Sequence, residues 1–244
     1  MICILGDGDF LKEKKMKTVG IIGGLGPEAT AKFYLEVVLA CSDSGEQSHP
    51  PILIYNVSLP LELEKECIVE AKNEEKCLPF LIQAAKILEK GGSDFLVMPC
   101  NSLHMFIEEI RRAVKIPVLS IIEETVKFLK DQKINKVGIL ATSITINRKL
   151  YKLKLNSHVI TDVVPDSQDQ AKLGQIIYNL VIGNYTDADK QILVGITNNL
   201  VGKGAKSIIL ACTDLQLLAP QHPKVKIFDT MQILINATVQ EINE

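Results

Sequence analysis

The chain has no stretch of about 18 uncharged apolar residues, which leaves nothing able to span a bilayer as a helix. It also lacks a charge excess. Lys+Arg number 27 against 29 Asp+Glu, a net charge of −2, whereas phosphate backbones call for a clear basic surplus. Nucleic acid and membrane are therefore excluded as main partners. Residues 1–15 have no basic n-region, no proper apolar core and no cleavage site, so a secretory leader is not expected. Six cysteines in 244 residues are too sparse for a disulfide scaffold. The expectation is a soluble cytoplasmic protein whose thiols stay reduced. Its length suits one large domain or two small ones, and a chain of this size buries a core without staples.

What is present is a regular alternation. Short apolar runs rich in Val, Ile and Leu occupy 18–22, 51–57, 94–98, 117–120, 136–141, 159–163, 207–211 and 226–228. Several are apolar without a break, the pattern of parallel strands covered on both faces. Amphipathic stretches lie between them, among them 27–40, 73–90, 168–182 and 187–203. In the second of these, Leu78, Leu81, Ile82, Ala85 and Leu88 fall at helical spacing. Alternating strands and helices predict right-handed βαβ units. The stretch 58–73 is irregular and reads as a long loop with room for one turn of helix, of the kind that serves as a lid or binding loop. Residues 1–16 read as an N-terminal extension, since Met16-Lys17-Thr18 would make a natural start just before the first strand.

Segments of the two halves echo each other in the same order. Val19-Gly20-Ile21-Ile22 resembles Val137-Gly138-Ile139-Leu140, and Leu96-Val97-Met98-Pro99-Cys100-Asn101 resembles Ile208-Ile209-Leu210-Ala211-Cys212-Thr213. Pro117-Val118-Leu119-Ser120 more weakly resembles Val225-Lys226-Ile227-Phe228-Asp229. This suggests a duplicated unit. The fold class expected is α/β, with two pseudo-symmetric Rossmann-like subdomains of mostly parallel sheets and an active site in the cleft between them. The first unit would comprise 17–116 with 225–244, and the second 117–224. Each repeat carries a cysteine at the carboxyl end of a strand, where ligands bind in open α/β sheets. Capping residue types follow at once, Asn101-Ser102 and Thr213-Asp214. A helix N-terminus there would hold a carboxylate and favour a thiolate. Facing halves would aim Cys100 and Cys212 into one cleft from opposite sides. Two such groups can remove a proton from one face of a carbon and return one to the other, inverting the centre. Asn101, Ser102 and Thr213 are the natural donors to the substrate carboxylate, and Thr142 ends the first strand of the second half where it could join them.

Val19-Gly20-Ile21-Ile22-Gly23-Gly24-Leu25-Gly26-Pro27-Glu28-Ala29-Thr30 resembles the opening signature of the aspartate/glutamate racemase family. Met98-Pro99-Cys100-Asn101-Ser102-Leu103-His104 resembles its first cysteine motif, with Ser102 in place of the usual Thr. Leu210-Ala211-Cys212-Thr213-Asp214-Leu215 resembles its second, with Ala211 for Gly and Asp214 for Glu. Val137-Gly138-Ile139-Leu140-Ala141-Thr142 and Phe228-Asp229-Thr230 extend the likeness from Lys17 to the C-terminus. The resemblance implies a cofactor-independent isomerase acting on a small amino acid, with two cysteines as acid and base, no pyridoxal phosphate or metal, and a homodimer. Two departures bear on the substrate. Aspartate racemases of the family carry an Arg after the second strand, but the segment from Asn56 to Glu64 has none. They also carry a Lys in a late helix, where this chain reads Ile177-Tyr178-Asn179-Leu180-Val181-Ile182. Those cations pair with a substrate side-chain carboxylate, so broad specificity fits better than aspartate alone.

Gly24-Leu25-Gly26-Pro27-Glu28-Ala29 also fits G-x-G-x-x-A, but the second strand ends in Tyr55-Asn56-Val57 without the acid that a ribose needs. A tight turn with Pro27 opening the helix is the simpler reading, its Gly24 and Leu25 backbone lining the cleft beside Asn56. His104, four residues after Cys100, reads as an orienting or packing residue, since no further ligands complete a metal site. Cys3, Cys41, Cys67 and Cys77 read as structural or incidental, and Glu123-Glu124 and Lys14-Lys15 as solvated charge. Two alternatives stay open: a decarboxylase or isomerase of small carboxylic acids, and a small-anion binder without turnover.

Overall fold

The computed structural model describes residues 16–43, 49–60, 62–63, 66–67 and 71–244. Cys3, the Lys14-Lys15 pair and the rest of 1–15 lie outside the described residues, as does part of the irregular stretch 58–73. Strands β1 (Val19–Gly23), β2 (Ile52–Asn56) and β3 (Phe95–Val97) form a parallel sheet in the order β2-β1-β3. Strands β4 (Lys136–Ala141), β5 (Thr161–Val163), β6 (Ser207–Ala211) and β7 (Lys226–Asp229) form a second, in the order β5-β4-β6-β7. Burial explains the unbroken apolar runs: every residue of β1, β3 and β6 is buried.

The 117–120 segment does not form a full strand. Val118 makes an isolated parallel bridge to Leu96, fixed by Leu96 N–H to Pro117 O (2.8 Å) and Leu119 N–H to Leu96 O (2.9 Å). Pro117 has no N–H to extend the ladder, and Ser120 already caps the next helix by accepting from the Glu123 amide. The bridge makes the two sheets equivalent, each running second, first, third, fourth segment. Residues 117–119 pair with the first sheet, and β7 pairs with the second.

Helices α1 (Pro27–Asp43), α2 (Leu78–Lys90), α3 (Ile107–Ala113) and α4 (Ile121–Asp131) belong to the first half of the chain. The second half adds α5 (Ser143–Asn147), α6 (Leu150–Ser157), α7 (Ser167–Val181), α8 (Asp187–Gly202) and α9 (Thr230–Ile242). The echo extends to helix ends. Gly92 (φ 95°) and Gly204 (φ 91°) take the left-handed conformation just after α2 and α8, a position that favours glycine. Matching hydrogen bonds close each turn: Ser93 N–H to Leu88 O and Gly92 N–H to Glu89 O, against Ala205 N–H to Leu200 O and Gly204 N–H to Val201 O.

Side-chain alternation along each strand sends residues to opposite faces. Val19 and Ile21 of β1, with Val137 and Ile139 of β4, join Phe33, Val126, Leu129, Tyr151 and Leu234 in one central cluster. The sheets therefore share a core, closed by α4 and α9, and α9 also packs on α1. The outer face of the first sheet is covered by α2 and α3, and that of the second by α7 and α8. This arrangement turns the carboxyl ends of β3 and β6 toward each other. Among the described residues no helix is long and apolar enough to cross a membrane.

Candidate active site

Cys100 follows β3 by three residues and Cys212 directly follows β6. Both thiols line a single cleft. Each is followed by a 3₁₀ segment, Ser102–Phe106 or Thr213–Leu218, rather than by an α-helix. Neither Asn101 nor Cys212, which start these segments, makes a side-chain cap. The Asn101 amide is used otherwise: its Nδ2 donates to Thr230 Oγ1 at 3.1 Å, and its Oδ1 accepts from the Tyr151 hydroxyl.

Hydroxyl groups from both halves meet at the cleft. Ser102 Oγ lies 2.8 Å from Thr142 Oγ1, which lies 3.0 Å from Thr145 Oγ1. Thr142 also caps α5 by accepting from the Thr145 amide. Thr213, buried, lines the cleft as well. The same cleft is also lined by apolar side chains, Leu25, Leu59, Ile144, Ile177 and Val181. Cys67 and Cys77, read from sequence as structural or incidental, line it too, with their sulfurs 3.2 Å apart. Burial pushes both of their pKa values up. Gly24 and Asn56 are not among the lining residues. Gly24 (φ 81°) closes the turn onto the end of β2, where a Cβ would meet Val57 O at 2.6 Å and Asn56 Oδ1 at 2.9 Å. Asn56 is exposed.

Cys212 departs from the expectation of a thiol acidified by a helix end. Full burial pushes its pKa well up, and the Asp214 carboxylate adds to the effect. A short 3₁₀ segment offers too small a dipole to reverse that. The Cys212 thiol donates to Asp214 Oδ2 at 3.6 Å. Asp214, which sequence reasoning treated only as a cap and a motif substitution, is the acidic side chain in the lining among the described residues.

His104 is buried and holds Cys100 through the backbone. Its Nε2 accepts from the Ile121 amide at 3.1 Å, so Nδ1 carries the proton and donates to the Cys100 carbonyl at 2.6 Å. Desolvation lowers its pKa from 6.5 to about 4. Both ring nitrogens face backbone groups, and among the described residues no cluster of three or more His, Cys, Asp or Glu is placed to hold a metal ion. Glu123 is likewise no mere solvated charge: it pairs with Arg111 (2.7 Å) and Lys154 (2.7 Å), tying α3, α4 and α6 together.

A family model described as Asp/Glu/Hydantoin racemase matches residues 22–238. The chain belongs to that family. Its relatives include the broad specificity amino-acid racemase RacX of Bacillus subtilis (strain 168), 29% identical over 226 residues, which span 91% of this chain and 96% of RacX. A Yersinia pestis crystal structure described as a candidate Asp/Glu racemase is 28% identical, covers 94% of this chain and 100% of its own, and matches with a TM-score of 0.83. The Picrophilus torridus aspartate racemase, 25% identical over 93% of this chain and 94% of its own, matches with a TM-score of 0.77. The α/β fold with parallel sheets is thus the fold of this racemase family, and the two-sheet arrangement agrees with these neighbours.

Proposed function

We propose that this racemase-family protein inverts the Cα of an amino acid by proton transfer between Cys100 and Cys212, without pyridoxal phosphate or metal. The observation that carries the reading is the pair itself: two thiols at equivalent strand ends of two equivalent sheets, lining one cleft. One cysteine, as thiolate, takes the Cα proton and becomes a thiol. The electron pair delocalises into the substrate carboxylate, and the other thiol gives its proton to the opposite face, leaving as thiolate. Ser102, Thr142 and Thr213 hold the carboxylate and stabilise the charge that builds on it, with the remaining N–H of Asn101 beside them. Asp214 receives the α-ammonium. That positive charge lowers the cost of a thiolate nearby. The two thiols exchange these roles according to which enantiomer is bound.

The apolar wall of Leu59, Ile144, Ile177 and Val181 supports broad use of neutral side chains over aspartate alone, as does the name of the Bacillus relative. Burying a side-chain carboxylate against it would leave that charge unpaired among the described lining residues. The units we propose follow the sheets, one built on β1–β3 with the Val118 bridge and one on β4–β7, with α4 and α9 crossing to close the shared core. The homodimer and cytoplasmic location implied by the family resemblance belong to the same proposal. Tyr34, Leu35 and Leu39 leave an exposed apolar face on α1 for a second copy to cover.

Proton NMR in D₂O, without added cofactor, tests the reaction through loss of the substrate Cα–H signal, with chiral chromatography of the product. Exchange is expected with several neutral amino acids. No exchange across neutral and acidic amino acids, with both thiols intact, refutes the reading.

A further inference from the structure

A directed chain of buried hydrogen bonds joins the residue beside Cys100 to the strand that carries Cys212. Its polarity follows from one end. The Leu210 carbonyl can only accept, so Thr230 Oγ1 donates to it, at 2.8 Å. Thr230 must then accept from Asn101, which turns the Asn101 NH₂ toward it, at 3.1 Å. Asn101 Oδ1 consequently faces Tyr151, whose hydroxyl must be the donor. The exposures of Tyr151, Asn101 and Thr230 are 1%, 2% and 0%. Tyr151 comes from α6 and Thr230 opens α9, so two elements of the second half grip a residue of the first.

We propose that Tyr151 and Thr230 are positioning residues for proton transfer. They fix the Asn101 amide, and through it the placement of Cys100 relative to Cys212, two residues beyond Leu210. The inference rests on the two-thiol reading above. An amide has two N–H groups, and only one is committed to Thr230. The same grip therefore leaves the second N–H for the cleft, which Asn101 lines. A packing role alone does not call for these polar groups. Tyr151 sits in the central apolar cluster, where a phenylalanine ring would fill the space without a buried hydroxyl to satisfy. Two-base transfer, by contrast, requires both sulfurs on opposite sides of one carbon, and small errors of placement there are costly.

Three variants test this: Tyr151→Phe, Thr230→Val and Thr230→Ser. Tyr151→Phe and Thr230→Val are expected to lower kcat for Cα–H exchange by about 10- to 100-fold while KM stays near wild type. Thr230→Ser keeps the hydroxyl and should keep most of the rate. A second readout does not depend on turnover, namely the rate of iodoacetamide alkylation at Cys100, followed by peptide mass mapping. It should change severalfold in Tyr151→Phe and Thr230→Val but not in Thr230→Ser. Unchanged kcat in the first two variants overturns the proposal, as do equal losses in Thr230→Ser and Thr230→Val. If Thr230→Val does not fold, Tyr151→Phe against Thr230→Ser makes the same comparison. If the wild type exchanges no amino acid, the racemase reading fails and the alkylation rates alone decide whether this network sets Cys100.

Discussion

Acid should weaken this protein through one ring, that of His104. A neutral imidazole is required there, because Nε2 must accept from the Ile121 amide while Nδ1–H serves the Cys100 carbonyl. Protonation turns Nε2 into a donor facing another donor. Burial, which penalises the charged ring, lowers its pKa from 6.5 to about 4 in the folded chain. Since the folded value is depressed, the unfolded chain takes up the proton first as pH drops. The stability tied to the neutral ring is thus complete above pH 6.5 and is lost as pH falls toward 4. Across that whole window the loss is about 3 kcal/mol, at about 1.4 kcal/mol per pH unit. At pH 5, where most carboxylates are still ionised, it should already be about 2 kcal/mol. Urea unfolding of the wild type at pH 7.5 and pH 5 measures the total change. The same pair of measurements on His104→Gln, which cannot titrate, removes the ring's share. The variant should be less stable at pH 7.5, yet lose less on acidification. Identical pH dependence in the two proteins, or an NMR titration of the His104 ring near pH 6.5, would refute the reasoning.

Other outcomes follow from the same geometry. Cys100→Ser and Cys212→Ser should each cut Cα–H exchange by about 10²- to 10⁴-fold with the circular dichroism spectrum unchanged; near-normal exchange in either variant rules out the thiol pair. Asp214→Asn removes a carboxylate that raises the Cys212 pKa, so Cys212 should be alkylated faster at pH 8, and slower alkylation would show that Asp214 instead aids thiolate formation. Arg111, followed by Lys154, holds the Glu123 carboxyl down from 4.5 to about 2. The stability it contributes is present above pH 4.5 and lost as pH falls toward 2. Glu123→Gln should flatten that limb of the urea stability profile, and a limb as steep as in the wild type counts against the ion pair.

The parts of this architecture that depend on neighbours in sequence were legible before any coordinates. β1, β4 and β6 were marked by unbroken apolar runs because each is covered on both faces, and the repeat showed in residues that do the same local job twice. The two cysteines stood out because a strand end is a local feature. Other elements were misjudged where a distant partner or a competing turn intervened. β5 begins at Thr161 rather than at Val159, since Val159 sits at φ 59° and its amide is spent on the turn leaving α6. The strand expected at 117–120 shrinks to one bridge, because Pro117 has no N–H to give and the Ser120 carbonyl already accepts from the Glu124 amide of the next helix.

The site divides along the same line. Asn101 looked like a donor for a substrate carboxylate, yet its amide is held by Tyr151 and Thr230, 50 and 129 positions away. No periodicity announces such a pairing. Cys67 and Cys77 had no motif around them, and their place in the cleft shows only in three dimensions. Asp214 looked like a cap, and only burial shows that it raises the thiol beside it. The sequence by itself determined the α/β class, the duplication and the two strand-end cysteines, because hydrophobic period and turn chemistry act over a few residues. Tertiary structure alone decided which sheet β7 and Val118 pair with, how Asn101 is oriented and how deeply Cys212 is buried. Those outcomes depend on burial and on contacts between residues far apart in the chain.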